Sequence, residues 1–154
     1  MKEYDVIAVG TGSVMHVIDG MINRDRKTQA AVIDQDEAGG ICLTRGCIPS
    51  KILLYPAEVI RTVERAGLFG IDAQVREVDF AEVMGRMRSI IDSDIARIER
   101  GLTESPNIDY YHDEAHFVEP YTMEVAGETI RSDLIFLGAG SEPIIPPVEG
   151  LDEV

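Results

Sequence analysis

The feature that most restricts the fold of this chain is its opening, "YDVIAVGTGSVMHVIDGMI", together with the "AAVID" that follows. Tyr4 to Val9 form an apolar, branched run suited to a strand covered on both faces. Gly10, Thr11, Gly12 and Ser13 break that run and lead into Val14 to Ile22, whose apolar spacing is helical. Ala30 to Asp34 then read as a second buried strand ending in an acid. Strand, glycine turn, helix and strand make the start of a βαβ unit, which predicts a parallel sheet and an α/β fold. In such a unit Gly10 permits the tight turn, Gly12 lets backbone approach a pyrophosphate at the helix N-terminus, and Asp34 accepts from a ribose. Met15 stands where the nucleotide-binding pattern has glycine or alanine, so from this stretch alone a turn that binds nothing stays open beside a nucleotide site.

Residues 39–51 read "GGICLTRGCIPSK" and contain the only two cysteines, Cys42 and Cys47. Such a pair can be a structural staple, part of a metal site or a redox couple. The chain carries 14 Lys and Arg against 28 Asp and Glu, a formal charge of −14, which argues against nucleic acid or an anionic membrane as partner. It shows neither a membrane-length apolar run nor the charge pattern of a signal peptide, so a cytoplasmic location is expected. There structural disulfides are kept reduced, which disfavours a staple. Zinc would need four ligands, and His16, His112 and His116 show no paired spacing with the cysteines, so no metal is assigned. Pro49 suits an early helical position, and a helix beginning near Cys47 would favour its thiolate, as redox exchange requires. Two inert cysteines are the remaining alternative.

Taken together, these segments resemble the class I pyridine nucleotide-disulfide oxidoreductases, flavoproteins that include dihydrolipoamide dehydrogenase, glutathione reductase and mercuric reductase. "GGICLTRGCIPSK" is similar to their redox-active disulfide signature, and Ile48, Pro49, Ser50 and Lys51 most resemble the dihydrolipoamide dehydrogenase variant. The closing "LGAGSEPIIPPVEGL" is similar to the turn by which the chain leaves the FAD domain. The resemblance implies FAD as cofactor, with Gly10, Gly12 and Ser13 at its pyrophosphate and Asp34 at the ribose. Gly39 and Gly40 would form the turn toward the disulfide, Lys51 would lie near the flavin, Ala115 would meet the adenine, and Ala139, Gly140 and Ser141 would form the exit turn. Cys42 becomes the thiol facing a dithiol substrate such as a lipoyl group, and Cys47 the thiolate beside the flavin. Electrons would pass onward to NAD. Departures from the pattern are Met15, Ile41 for a threonine, Gly138 with Ala139 for alanine and threonine, and Glu142 for a basic residue.

The same resemblance implies a Rossmann-like FAD-binding domain, incomplete here, over residues 1–145, and a linker over 146–154 toward an NAD-binding domain. It also implies a homodimer in the full-length protein, whose other subunit supplies a histidine–glutamate pair, and little turnover by this stretch alone. Elsewhere the sequence speaks only to architecture. Residues 49–71 predict a helix broken near Pro56 and stopped by Gly67 and Gly70. Asp79 and Glu82 predict a helix start, followed by an apolar stripe of Val83, Met87, Ile91, Ile95, Ile98 and Leu102. "IDYYH", "AHFVE", "TMEVAGETI" and "DLIFLG" predict a small antiparallel meander returning to a final core strand.

Overall fold

A computed structural model describes residues 1–142 and 144–151, so Pro143 and the last three residues of the expected linker lie outside the described residues. Four strands form a parallel sheet in the order β4-β3-β2-β8: β2 (Val6–Val9), β3 (Ala30–Ile33), β4 (Ile108–Tyr111) and β8 (Ile135–Leu137). A second sheet, in the order β1-β7-β6-β5, joins β1 (Lys2–Glu3) to β7 (Glu128–Arg131), β6 (Thr122–Val125) and β5 (Ala115–Glu119). The helices are α1 (Met15–Arg24), α2 (Gly40–Thr44), α3 (Cys47–Glu64) and α4 (Phe80–Thr103), with a 3₁₀ turn at Ala66–Phe69.

Strand alternation explains the layers. Val6, Ala8, Ala30 and Val32 point to one face and pack with Ile18 and Ile22 of α1 and Leu102 of α4. Ile7, Ala31 and Ile33 point to the other and pack with Met123, Val125 and Ile130 of the meander. Both faces of the parallel sheet are thus covered, which is why its strands are almost uniformly apolar. Burial of this kind contributes roughly 25 cal/mol per Å² of apolar surface, so α1 and α4 are held mainly by their apolar stripes and not by intrinsic helix preference. Leu43 of α2 joins Ile91 and Ile95 of α4, with Ile48 and Ile52 of α3 against them. This third cluster seats the cysteine segment. Asp79 caps α4 as expected, accepting from the Glu82 amide at 3.0 Å, and Met15, despite its size, packs against the first cluster.

Three expectations need correction. The strand expected over Tyr4 to Val9 is split: Lys2–Glu3 pairs with β7, the chain crosses between sheets at Tyr4 and Asp5, and only Val6–Val9 lies in the core sheet. The apolar run of a parallel strand says nothing about where an adjoining residue is captured by a second sheet. Nor does Pro56 break α3, which runs from Cys47 through Glu64. The missing amide costs one hydrogen bond, and the preceding turn is anchored on α4 through Ile48 and Ile52. Finally, "IDYYH" supplies the edge strand of the parallel sheet, β4, rather than the meander, which is built from β5, β6 and β7. The meander and the return to a core strand are otherwise as expected.

Candidate functional site

Because β2, β3, β4 and β8 run parallel, their carboxyl ends lie along one edge of the sheet, the edge at which open α/β sheets bind ligands. Gly10, Asp34 and Gly138 follow directly from three of those ends. Their backbones are tied together: the Gly10 amide donates to the Ile33 carbonyl at 2.6 Å, and the Gly138 amide donates to the Val9 carbonyl at 2.7 Å. Gly10 has φ +107°, and a Cβ there would lie 2.1 Å from the Gly138 carbonyl oxygen. No side chain fits at this crossing.

The glycine turn and the cysteine segment meet backbone to backbone. Gly40 has φ +67°, and a Cβ on it would sit 2.7 Å from the Gly12 Cα. Gly46 closes the loop between the cysteines; a Cβ there would lie 2.8 Å from the Ile41 carbonyl oxygen and 3.3 Å from the Cys42 Cα. Ile41 reaches the exit turn, its Cδ1 lying 3.1 Å from where a Cβ of Gly140 would be. The structure therefore brings Gly10, Gly12, Gly39, Gly40 and Gly140 into one assembly with the cysteines. Ser13, Ala139 and Ser141 are exposed beside it, and Ala115 opens β5, half-buried against the second cluster.

Cys42 lies in α2 and Cys47 is the first residue of α3, so the pair straddles a junction between two helices. Both are free thiols and exposed. The Cys42 thiol is pushed above its ordinary value, first by its hydrogen bond with Cys47, then by desolvation and by the charge of a Cys47 thiolate. Lys51, one turn into α3, acts in the opposite direction.

Asp34 does more than end a strand. Its Oδ2 accepts from the Thr11 amide at 2.8 Å and from the Thr11 hydroxyl at 2.6 Å, and its Oδ1 accepts from the Asp36 amide at 3.0 Å. A carboxylate has about four lone-pair positions, so three donors leave it able to take one more. Among the described residues the amides of Gly12, Ser13 and Val14, which lead into α1, have no protein acceptor. Those amides, at the N-terminal end of α1, fit a phosphate group. Thr11, only 3% exposed, was not singled out from the sequence. The available signal was a hydroxyl residue between two turn glycines, answered by an acid at the end of the next strand. Gly46 was also missed, although a glycine just before Cys47 marks the tight return. Among the described residues no cluster of metal-ligating side chains occurs, and no helix is long and apolar enough to cross a membrane.

This geometry coincides with a family pattern, that of the pyridine nucleotide-disulphide oxidoreductases, which matches residues 4–154. The chain belongs to that family. It is 36% identical over 153 residues to a mycothione reductase of Mycobacterium tuberculosis, covering 96% of this chain and 33% of that protein. It is 31% identical over 145 residues to a dihydrolipoyl dehydrogenase of Chlamydia pneumoniae, covering 92% of this chain and 31% of that one. The chain therefore spans about a third of the length of the curated relatives it matches. Among solved structures, the HOCl-induced flavoprotein disulfide reductase RclA of Escherichia coli superposes with a TM-score of 0.75 at 23% identity, over 96% of this chain and 30% of that one. That likeness shows the shared fold, an incomplete Rossmann-like α/β domain with a parallel sheet.

Proposed function

We propose that this chain is the part of a flavin-dependent disulfide oxidoreductase that holds FAD and carries its redox-active pair, Cys42 and Cys47. The observation that carries this reading is the contact of Gly40 with Gly12, which seats the cysteine helix directly on the turn suited to a pyrophosphate. Gly10, Gly12 and Ser13 would hold the pyrophosphate, Asp34 the ribose, and Ala139, Gly140 and Ser141 the far side of the cofactor, with Lys51 near its ring and Ala115 near its adenine. When bound, FAD supplies a two-electron acceptor beside the thiols. In the oxidised pair, a substrate thiolate attacks the sulfur of Cys42, forming a mixed disulfide and releasing Cys47 as thiolate. The second substrate thiol then displaces Cys42, so the substrate leaves as a disulfide and the protein holds two thiols. Lys51 places positive charge near the pair and acts to lower the Cys42 thiol.

The whole protein would pass electrons between these thiols and NAD, as a cytoplasmic homodimer. A lipoyl dithiol is one partner the sequence supports. The higher identity to a mycothione reductase favours a second, the disulfide of a small cellular thiol, reduced by the same steps in reverse. The test is to titrate the purified chain with FAD by flavin fluorescence and to equilibrate its thiols in a glutathione redox buffer. We expect saturable quenching and a Cys42–Cys47 disulfide, with Cys42→Ser and Cys47→Ser each abolishing the disulfide but not the quenching. A chain that neither binds the flavin nor forms the disulfide would end the proposal.

A further inference from the structure

The hydroxyl of Thr11 joins the glycine turn to two positions that lie 23 and 28 residues further along the chain: it donates to Asp34 Oδ2 at 2.6 Å and accepts from the Gly39 amide at 2.9 Å. Its own amide donates to the same carboxylate oxygen at 2.8 Å. The group is buried; its single proton is given to the carboxylate, and one of its two acceptor positions is filled by the Gly39 amide. Gly39 has φ +113° and introduces α2, in which Cys42 sits three residues later. A carboxylate that moves or is drawn elsewhere thereby acts on the backbone that orients Cys42. Gly40 pressed on Gly12 gives that backbone no slack.

We infer that Thr11 is a positioning residue which couples occupancy at Asp34 to the redox behaviour of the Cys42–Cys47 pair. The inference rests on the reading of Asp34 as the ribose acceptor. A ribose hydroxyl donating to Asp34 competes with or reinforces the Thr11 bond, and the change passes through Gly39 to the cysteine helix. By linkage the effect is reciprocal, so oxidation of the pair alters affinity for the nucleotide by the same factor. Exchange with glutathione balances as one protein dithiol plus one glutathione disulfide giving one protein disulfide plus two glutathiones.

The experiment uses ADP, which offers the adenosine and pyrophosphate but has no ring to cover the thiols, so that any influence on the sulfurs travels through the protein. The glutathione equilibrium constant of the pair is measured with and without saturating ADP in the wild-type chain, in Thr11→Ser and in Thr11→Val. Thr11→Val keeps the shape and removes the hydroxyl. We expect ADP to shift the wild-type constant by about fivefold or more, Thr11→Ser to keep that shift, and Thr11→Val to lose it while far-UV circular dichroism stays unchanged. An equal shift in Thr11→Val and wild type overturns the coupling. If ADP binds none of the proteins, the ribose reading of Asp34 fails by itself, and the nucleotide-free arm decides the role of Thr11. There Thr11→Val must change the constant and Thr11→Ser restore it; identical constants in all three reject it.

Discussion

Replacing Gly40 with alanine tests whether the cysteine helix is seated on the glycine turn by direct backbone contact. At φ +67° an L-residue pays roughly 1–2 kcal/mol for the left-handed conformation. The new Cβ would lie 2.7 Å from the Gly12 Cα and 3.2 Å from the Gly12 nitrogen. Carbon atoms pack comfortably at about 3.5–4.0 Å, so the methyl intrudes by about 1 Å on backbone that cannot rotate away. Overpacking of this kind costs about 1–3 kcal/mol, giving a total of about 2–5 kcal/mol for Gly40→Ala. With a urea slope of about 2 kcal/mol/M, the unfolding midpoint should fall by about 1–2.5 M. Gly12→Ala is the control, because its Cβ meets the Gly40 Cα at 3.6 Å, an ordinary contact, without a positive φ. That variant should keep its midpoint or gain slightly, by about 0.4–1 kcal/mol, from a less flexible unfolded chain. Urea titrations followed by circular dichroism compare the two. A Gly40→Ala midpoint equal to wild type, or equal losses in both variants, would refute the contact as described.

Three further outcomes are expected. Cys47→Ala should bring the Cys42 thiol down toward its ordinary value, since its largest cause of elevation is the Cys47 sulfur; iodoacetamide alkylation of Cys42 should then reach half its maximal rate at lower pH, and an unchanged profile counts against the pairing. Asp109 is held below its ordinary 3.8 by Lys2 and by Tyr4, which donate to it at 2.6 Å each, so its stabilisation is present above that value and lost as pH falls through the lower folded one. Asp109→Asn should therefore flatten the loss of stability below pH 3.8 in acid titrations, and an acid limb as steep as in wild type would contradict the assignment. Pro56→Ala should raise stability by about 1–3 kcal/mol by restoring an amide within α3, and thermal melting that shows no gain would mean that the helix has already absorbed the proline.

How much of this was legible beforehand depends on the range over which each residue acts. The βαβ opening, the cap at Asp79 and the stripe on α4 follow from local pattern, because strand alternation, capping and helical period involve neighbours in sequence. The two cysteines and their glycines pointed to redox chemistry because few other uses suit that pairing in a chain of this composition. Tyr4 gave no such warning. Its hydroxyl donates to Asp109 at 2.6 Å and touches that of Tyr111 at 2.7 Å, and those partners, more than 100 residues away, help to draw the chain out of the core strand. Pro56 was misjudged for a related reason: its local cost is real, but α4 holds the turn before it.

Chain order alone determined the α/β class, the position of the glycine turn and the choice of the cysteine pair as the candidate reactive element. Only tertiary structure decided that Thr11 joins Asp34 to Gly39, that Gly12 and Gly40 touch, and that "IDYYH" extends the parallel sheet. The physical reason is that these contacts join residues far apart in sequence, and their energies depend on where the layers bring backbone together. A glycine or a threonine carries no local mark of the distant atom that requires it.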